Sequence, residues 1–253
     1  MRHHAVLRSS ALLAGIALTL AGLAAAADRY DAALAHGGRP AGDLKRDAID
    51  HPAELLRLAG IKPGMRVADV VAADGYYSEL LSYLVGDGGR VLLINNQQSE
   101  GWNDGLAARL AGNRLPNVER LTVDLEHMGL QDKSLDAVLL VKVYHDFYWV
   151  DERGRWPKID AGAVIAELAR ALKPNGVLLL VDHSAKPGSG SADASALHRI
   201  EEAYAIKEFE AHGFKVLAKS DVLKRADDPR DQITYQGPMV GKTDRFVVVF
   251  RKA

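Results

Sequence analysis

The stretch from Val67 to Ser78 limits the possible folds of this chain more than any other segment. Its first half is apolar apart from one acid, and it predicts a buried strand over 66–71. Pro63-Gly64 marks a turn before the strand, and small residues after it predict a tight turn. From Tyr77 onward, apolar residues recur at helical spacing, so a helix is predicted to open at Gly75.

A strand, a small-residue turn and a helix form a corner that can bind a ligand. The small residues let a ligand approach the backbone, and the helix N-terminus offers unpaired N–H groups. Open α/β sheets bind nucleotide cofactors at such corners. The G-x-G-x-x-G spacing of dinucleotide-binding folds would fall on Val71, Ala73 and Tyr76, so this chain does not match it.

The rest of the chain alternates between predicted strands and helices. Further strands are predicted over 89–95, 118–123, 137–143, 177–181, 214–219 and 246–250. Helices are predicted over 50–60, 105–111, 160–172 and 196–212. This order predicts an α/β, Rossmann-like fold with a mostly parallel seven-stranded sheet and an antiparallel C-terminal strand.

The N-terminal segment, Met1 to Ala27, has the features of an export signal. Arg2 and Arg8 provide positive charge, an apolar run follows, and Ala25-Ala26-Ala27 resembles a cleavage site. The run is rich in Ala and Gly and falls short of the roughly 20 strongly apolar residues that a membrane anchor prefers. The sequence therefore predicts a cleaved signal peptide, no stable membrane insertion after cleavage, and a periplasmic or secreted location.

The remaining residues, 28–253, have the length of one α/β domain, with an N-terminal helical extension over 28–60. The net charge of the whole chain is −1, which gives no indication of nucleic-acid binding. The chain has no cysteine, which excludes a thiol nucleophile and a thiolate metal site. The expected partner is a small-molecule substrate, and the sequence does not define an oligomeric state.

The predicted fourth strand leads into Tyr144-His145-Asp146, which places a base, an acid and a phenol at the carboxyl edge of the sheet. His145 is a candidate general base, Asp146 could orient it, and Tyr144 could hydrogen-bond a substrate oxygen. The alternative is simple aromatic packing. With Asp182-His183 after the fifth strand, the cluster could hold a metal, but nothing fixes the spacing, and no metal ligands are predicted.

The chain resembles class I S-adenosylmethionine-dependent methyltransferases. Their cofactor loop, acid-x-G-x-G-x-G, aligns with residues 69–75, where Asp69 and Gly75 match and Val71 and Ala73 replace glycines. The resemblance extends from about Leu55 to Arg251 and is most specific to a family of exported bacterial predicted methyltransferases. It rests on Gly60-Ile-Lys-Pro-Gly64, Gly75-Tyr-Tyr-Ser78, Tyr144-His-Asp146, Leu197-His-Arg-Ile-Glu201, Gly213-Phe-Lys-Val216, Ser220-Asp-Val-Leu223 and Arg245-Phe-Val-Val-Val-Phe-Arg251.

This resemblance implies S-adenosylmethionine as cofactor and methyl transfer as the reaction. Phe147, Tyr148 and Trp149 suggest a small, apolar or aromatic acceptor. In this family the second strand ends on an acid that binds the ribose, and this chain has Asn95 at that position. Asn95 could instead simply form a turn at the end of the strand, and the two interpretations have equal weight. The segment after the third strand brackets adenine. The residues implied to bind the cofactor are Asp69, Ala73, Gly75, Tyr76, Asn95, Asp124 and Leu125.

Two alternatives remain open from the sequence. Val71, Ala73 and Asn95 depart from the family pattern, which favours a periplasmic small-ligand-binding protein without catalysis. That hypothesis predicts that Val71 fills the methionine end of the cleft. A metal-dependent hydrolase that uses His145 and its acidic and histidine neighbours is a more distant alternative.

Overall fold

The structure is a computed structural model that describes residues 29–102 and 105–253. The predicted signal peptide, 1–27, lies outside the described residues. Within the described part of the chain, no helix is both long enough and apolar enough to cross a membrane.

The described residues form one seven-stranded sheet. Its strands are β1 (Arg66–Val70), β2 (Arg90–Asn95), β3 (Val118–Thr122), β4 (Leu135–Val141), β5 (Leu172–His183), β6 (Phe214–Ser220) and β7 (Arg245–Lys252). They lie in the order β3-β2-β1-β4-β5-β7-β6. Neighbours from β3 to β5 are parallel, whereas β7 is antiparallel to both β5 and β6. The predicted fold class is confirmed.

Helices cover both faces of the sheet. Besides a helical segment over 29–34, they are α1 (Ala41–Asp50), α2 (Pro52–Leu58), α3 (Tyr76–Val85), α4 (Gly105–Leu110), α5 (Ala161–Ala171), α6 (Ala194–Leu197) and α7 (Glu202–Ala211). Short 3₁₀ helices occur at Ser99–Gly101, Ala111–Asn113, Tyr144–Tyr148 and Gly237–Met239. The predicted N-terminal extension over 28–60 contains α1 and α2, and α1 begins at Ala41, ahead of the helix predicted over 50–60.

The central strands are apolar on both faces because each face contacts a layer of helices. In β4, Val138 and Leu140 belong to the core on one side of the sheet, and Ala137 and Leu139 to the core on the other. All four side chains are fully buried. This two-sided burial fixes the register of the strands, and therefore fixes where each strand delivers the residue that follows it.

The prediction of one continuous helix over 196–212 is wrong for its first part, up to residue 201. The chain forms the short helix α6, breaks at His198, and resumes a helix at Glu202. His198 has a φ of 52°, in the left-handed region that non-glycine residues rarely adopt. The break turns His198 and Arg199 inward, where Arg199 is fully buried and pairs with Asp228 at 2.8 Å.

Candidate active site

The turn between β1 and α3 keeps a backbone shape suited to glycine although only one glycine remains. Val71, Ala73 and Gly75 have φ values of 55°, 51° and 80°. Left-handed backbone is disfavoured for residues with a Cβ, and most strongly for β-branched ones. A Cβ on Gly75 would also lie 2.9 Å from the Leu93 side chain. The tertiary structure therefore imposes this turn on two residues that do not favour it.

Asn95, at the end of β2, holds this turn in place. Its side-chain oxygen accepts from the Ala73 N–H at 2.8 Å, and its amide donates to the Ala73 carbonyl at 3.0 Å. The side chain is fully buried. These two hydrogen bonds form the strand-end turn that the sequence analysis gives as the equal alternative to ribose binding.

Asp69 lies at the end of β1 beneath the turn and is almost fully buried. Its carboxylate accepts from the Ser78 hydroxyl at 2.7 Å. Burial raises the pKa of Asp69 to about 6, although the Ser78 hydrogen bond opposes the shift. At neutral pH this carboxylate is a buried negative charge directly next to the turn.

A first cavity, of about 360 Å³, lies beyond the carboxyl ends of β2 and β3. Asn96, Asp124 and Leu125 line it. Asp124 and Leu125, the two residues implied to contact adenine, therefore lie at the same cavity. The Asn96 amide nitrogen is buried and has no hydrogen-bond partner. Such an unpaired donor is costly unless a ligand or water accepts from it. We call this the adenosine-side cavity.

A second cavity, of about 140 Å³, lies against the turn and is lined by Asp69, Val71, Ala73, Tyr76 and Tyr77. We call it the loop cavity. Val71 is 3 % exposed and narrows it. The buried Tyr77 hydroxyl has no partner. The unpaired groups at both cavities fit a polar, elongated ligand such as S-adenosylmethionine, and Val71 narrows the end where the methionine part would lie.

Helix α1 covers the loop cavity. The Arg46 guanidinium stacks on the Tyr76 ring at 3.9 Å, and the Tyr76 hydroxyl donates to Asp47 at 2.5 Å. Arg46 also binds Asp50 at 2.9 Å. Arg46 lines the cavity as a cation, which suits a ligand carboxylate. The buried residues of α1 are Asp43 and Asp50, so this helix contacts the rest of the molecule through charged side chains rather than through an apolar face.

Asp50 joins α1 to the sheet edge. Its carboxylate accepts from Lys142 Nζ at 2.7 Å and also pairs with Arg245. Burial and the nearby Arg46 lower the pKa of Lys142 to about 8, although Asp50 opposes the shift. Asp50 is 1 % exposed, and this one buried carboxylate pairs with three cationic side chains, those of Arg46, Lys142 and Arg245.

A third cavity, of about 480 Å³, lies at the carboxyl ends of β4 and β5. Its lining includes His145, Asp146, Trp149, His183, His198 and Tyr235. It shares Trp102 and Lys142 with the loop cavity, so the two are neighbours along the sheet edge. We call it the acceptor cavity.

His145 is held by a carboxylate that differs from the predicted one. Its Nδ1 lies 2.6 Å from Asp182 Oδ1, and its backbone N–H donates to Asp182 Oδ2 at 2.9 Å. Asp146 instead faces the other ring nitrogen, with 3.3 Å between Nε2 and Oδ1. Both carboxylates therefore contact the His145 ring, Asp182 at Nδ1 because β5 lies next to β4, and Asp146 at Nε2.

The charge state of His145 also differs from that of a free base. Burial alone would lower its pKa, but the carboxylates of Asp146 and Asp182 raise it to about 10. A histidine that already carries a proton at neutral pH cannot take one from a substrate. Burial and the neighbouring His145, by contrast, lower the pKa of His183 well below its usual value.

The structure places Tyr144 outside the acceptor cavity. Its side chain is fully buried among Phe147 and Phe209, and its hydroxyl donates to Glu208. The prediction that Tyr144 contacts a substrate oxygen is therefore wrong, since its hydroxyl points into the α7 side of the core. Trp149 lies at the cavity, with its ring 5.0 Å from that of His198.

His198 is the site residue that the sequence analysis missed. Its Nδ1 lies 3.2 Å from His145 Nε2 and 3.3 Å from Asp146 Oδ1. It is 53 residues from His145 in the chain and lay inside a predicted helix, so no local pattern indicated it. The only available signal was the Leu197-His-Arg-Ile-Glu201 segment that carries part of the resemblance.

The sequence is similar to methyltransferases over its central part. A protein-family model described as "Methyltransferase domain" matches residues 69–180. The ubiquinone/menaquinone biosynthesis C-methyltransferase UbiE of Pseudomonas putida is 28 % identical over 172 residues, which are 65 % of this chain and 61 % of that protein. The chain spans between about half and three fifths of the length of the curated relatives it matches.

Solved structures share the fold at low sequence identity. A SAM-dependent methyltransferase from Aquifex aeolicus has a TM-score of 0.59 at 22 % identity and covers 80 % of this chain and 89 % of its own. The [4+2]-cyclase SpnF has a TM-score of 0.59 at 17 % identity, with coverages of 82 % and 81 %. The fold is therefore shared between proteins named for different reactions.

Proposed function

We propose that this chain belongs to the class I S-adenosylmethionine-dependent methyltransferase superfamily and transfers a methyl group to a small acceptor with an apolar or aromatic body. The observation that carries the proposal is the β1–α3 turn, which keeps its left-handed backbone at 71, 73 and 75 despite two side chains that disfavour it. The methyltransferase domain supports S-adenosylmethionine as the cofactor, as the sequence predicts.

In this proposal the adenosine-side cavity and the loop cavity bind the cofactor, and the acceptor cavity binds the substrate. Asn96, Asp124 and Leu125 would hold the adenosine end, and the turn above Asp69 would hold the middle. Arg46 would bind the methionine carboxylate, which makes α1 a cover over the cofactor. S-adenosylmethionine supplies an electrophilic methyl group on a positively charged sulfur. The chain's main contribution is then alignment of the acceptor and exclusion of water.

The acceptor cavity supports the proposed substrate class. Three aromatic rings line it, those of Trp102, Trp149 and Tyr235. The histidines and Asp146 add a polar end. A cavity of about 480 Å³ falls within the range of roughly 300–1,000 Å³ that is usual for small-molecule sites. A flat acceptor with one polar atom suits this lining.

The test is calorimetric titration of the purified full chain with S-adenosylmethionine and S-adenosylhomocysteine. Micromolar binding of both supports the proposal, and the bound protein is then assayed for methyl transfer to phenolic and quinol-like acceptors. Absence of binding up to millimolar concentration contradicts it.

A second candidate function is ligand binding without transfer. The observation that favours it is Val71, which leaves a loop cavity of about 140 Å³, smaller than the usual lower limit of about 300 Å³. Val71→Gly separates the two. If Val71 only narrows a working cofactor site, the variant binds S-adenosylmethionine roughly tenfold more tightly, equivalent to about 1.4 kcal/mol. Val70→Ala, a core change in the adjacent strand, is the matched control. If neither protein binds the cofactor, the binding-protein function is favoured.

We also propose that the chain is exported, on the sequence of residues 1–27 alone. N-terminal sequencing of protein recovered from a periplasmic fraction tests this proposal. A mature terminus at Asp28 supports it, and an intact Met1 contradicts it.

A further inference from the structure

Three side chains converge at the inner end of the acceptor cavity. His145 Nε2, His198 Nδ1 and Asp146 Oδ1 form a triangle with sides of 3.2, 3.3 and 3.3 Å. The side chains of His145, Asp146 and His198 are 5 %, 6 % and 10 % exposed. They come from two separate segments, one after β4 and one at the break after α6.

The triangle has the size of a metal-ligand set. Zinc–nitrogen and zinc–oxygen bonds of about 2.05 Å at tetrahedral angles place neighbouring ligand atoms about 3.3 Å apart. Two histidines and one carboxylate are also the protein ligands of many catalytic metal sites that keep a position open. Hydrogen bonds to Asp146 Oδ1 from both ring nitrogens account for two sides of the triangle, but they would leave two N–H groups facing each other across the third side, at 3.2 Å.

Asp182 gives His145 the orientation of a metal ligand. It accepts from His145 Nδ1 at 2.6 Å, which leaves the Nε2 lone pair pointing at the triangle in the neutral ring. A carboxylate on the outer nitrogen is the usual support for a metal-bound histidine. Asp182 is itself fixed, since it accepts from the backbone N–H groups of His145 and His183 at 2.9 and 2.7 Å.

His198 is equally constrained. Its backbone is left-handed at a φ of 52°. Trp149 and Tyr235 pack on its ring with centroid distances of 5.0 and 4.7 Å. Backbone strain of this kind is retained where the surroundings require a particular side-chain position. The surroundings of His198 hold its Nδ1 at the triangle.

The charges around the triangle leave room for a dication. Asp146 and Asp182 are both buried, and together they carry two negative charges. The lysine and the arginine that line the cavity are already engaged, Lys142 with Asp50 at 2.7 Å and Arg155 with Asp151 at 3.0 Å. One divalent ion with two neutral imidazoles would balance the two carboxylates.

We propose that His145 Nε2, His198 Nδ1 and Asp146 Oδ1 bind one divalent transition metal of the zinc type, with its remaining coordination position open to the acceptor cavity. Asp182 is a positioning residue for His145. The described residues contain a second close group, Asp124, Glu126 and His127, but its side chains are partly or fully exposed and it has no supporting partner of this kind. That group supplies the control.

One consequence rests on the proposed function. A metal at this position would coordinate an acceptor hydroxyl and lower its pKa, as a bound cation does for water. The ionised hydroxyl would release its proton to solvent water instead of to a histidine base, which agrees with the engagement of both His145 nitrogens. The metal site itself does not require methyl transfer, so the two proposals can fail separately.

The test is metal binding by the purified full chain after dialysis against EDTA. ZnCl₂ is titrated calorimetrically, and CoCl₂ is titrated while the visible absorption of the cobalt is followed. The variants are His198→Gln and Asp146→Asn, with His127→Gln as the matched control. Folding of each variant is checked by circular dichroism, and the shift in melting temperature with Zn²⁺ gives a second readout of binding.

We expect saturable binding of one ion at the triangle in the wild-type chain and in His127→Gln. His198→Gln should lose more than about 100-fold in affinity, since loss of a mere supporting partner already costs about 10- to 100-fold. Equal affinity in His198→Gln and His127→Gln would overturn the proposal. So would the absence of saturable binding to the folded wild-type chain up to millimolar metal. In that case a proton on His145, rather than a metal, holds the cluster together.

Discussion

The β1–α3 turn and the histidine cluster lie at the same edge of the sheet, yet they are built in opposite ways. At the turn, the backbone keeps the shape that glycines would favour, while Val71 and Ala73 resist that shape. At the cluster, the side chains of His145, Asp146 and His198 meet within 3.3 Å, supported by Asp182.

This difference shows how each region depends on the rest of the molecule. The turn is local in sequence but is held by distant groups, above all Asn95. The cluster is assembled from distant segments, and its geometry depends on where β4 and β5 end. A change that disturbs the turn should affect cofactor binding first, and a change that disturbs the strand ends should affect the cluster first.

The largest effect is expected for Asp50→Asn, which would break the link between the two regions. Removing one partner of a buried ion pair typically costs about 3–5 kcal/mol, because the remaining charges stay buried without compensation. Asp50 balances Lys142 and Arg245 at 1 % exposure. Urea unfolding should show a loss of this size in the free energy of unfolding.

The matched control for Asp50→Asn is Asp124→Asn, since Asp124 is exposed and has no such network. Its free energy of unfolding should stay within about 0.5 kcal/mol of the wild type. If the two variants unfold at the same denaturant concentration, Asp50 does not hold α1 on the sheet.

Asp69→Asn should change how the free energy of unfolding depends on pH, which tests the buried charge beneath the turn. In the folded chain burial raises the pKa of Asp69 to about 6, against its ordinary value of 3.8. The folded state therefore binds a proton between these values that the unfolded state has lost, and stability contributed by this group falls as pH rises through about 6. A shift of about two pH units corresponds to about 3 kcal/mol.

Asp69→Asn removes this dependence, so its free energy of unfolding relative to the wild type should rise by up to about 3 kcal/mol between pH 4 and pH 7. Denaturant unfolding of both proteins at four pH values in that window measures the difference. Parallel curves for the two proteins would show that Asp69 is not a buried charge at neutral pH.

Asp182→Asn should weaken the cluster without removing a metal ligand. Loss of a carboxylate behind a metal-bound histidine reduces metal affinity by about 10- to 100-fold. His183→Gln is the control, since His183 lines the same cavity but lies outside the triangle. Zinc titration measures both. If the metal affinity of Asp182→Asn equals that of the control, Asp182 does not position His145 as a ligand.

The smallest effect is expected for Ala73→Gly in the turn. Ala73 has a φ of 51°, and relief of a left-handed backbone at a residue with a Cβ is worth about 1 kcal/mol. The melting temperature should rise by a few degrees, as judged by thermal unfolding. Ala72→Gly, at the neighbouring position without a positive φ, should lower it instead. An increase in both variants would contradict the strain at Ala73.

The sequence by itself determined the order of the elements and the location of the cofactor corner. Apolar runs in β1 and β4 and the turn residues around them predict strands because periodicity and chain breaks are local properties. Asp124 and Leu125 were likewise identified from a local pattern, the end of the third strand, and both line the adenosine-side cavity. The local pattern also correctly indicated that His145 and Asp146 follow a strand end.

Only the tertiary structure decided which side chains meet there. His198 reaches His145 because the predicted helix over 196–212 breaks, and Asp182 replaces Asp146 on the outer nitrogen because β5 lies next to β4. Tyr144 turns into the core, and Asn95 bonds to the turn. Contacts between residues tens of positions apart depend on packing and register, which no local pattern records.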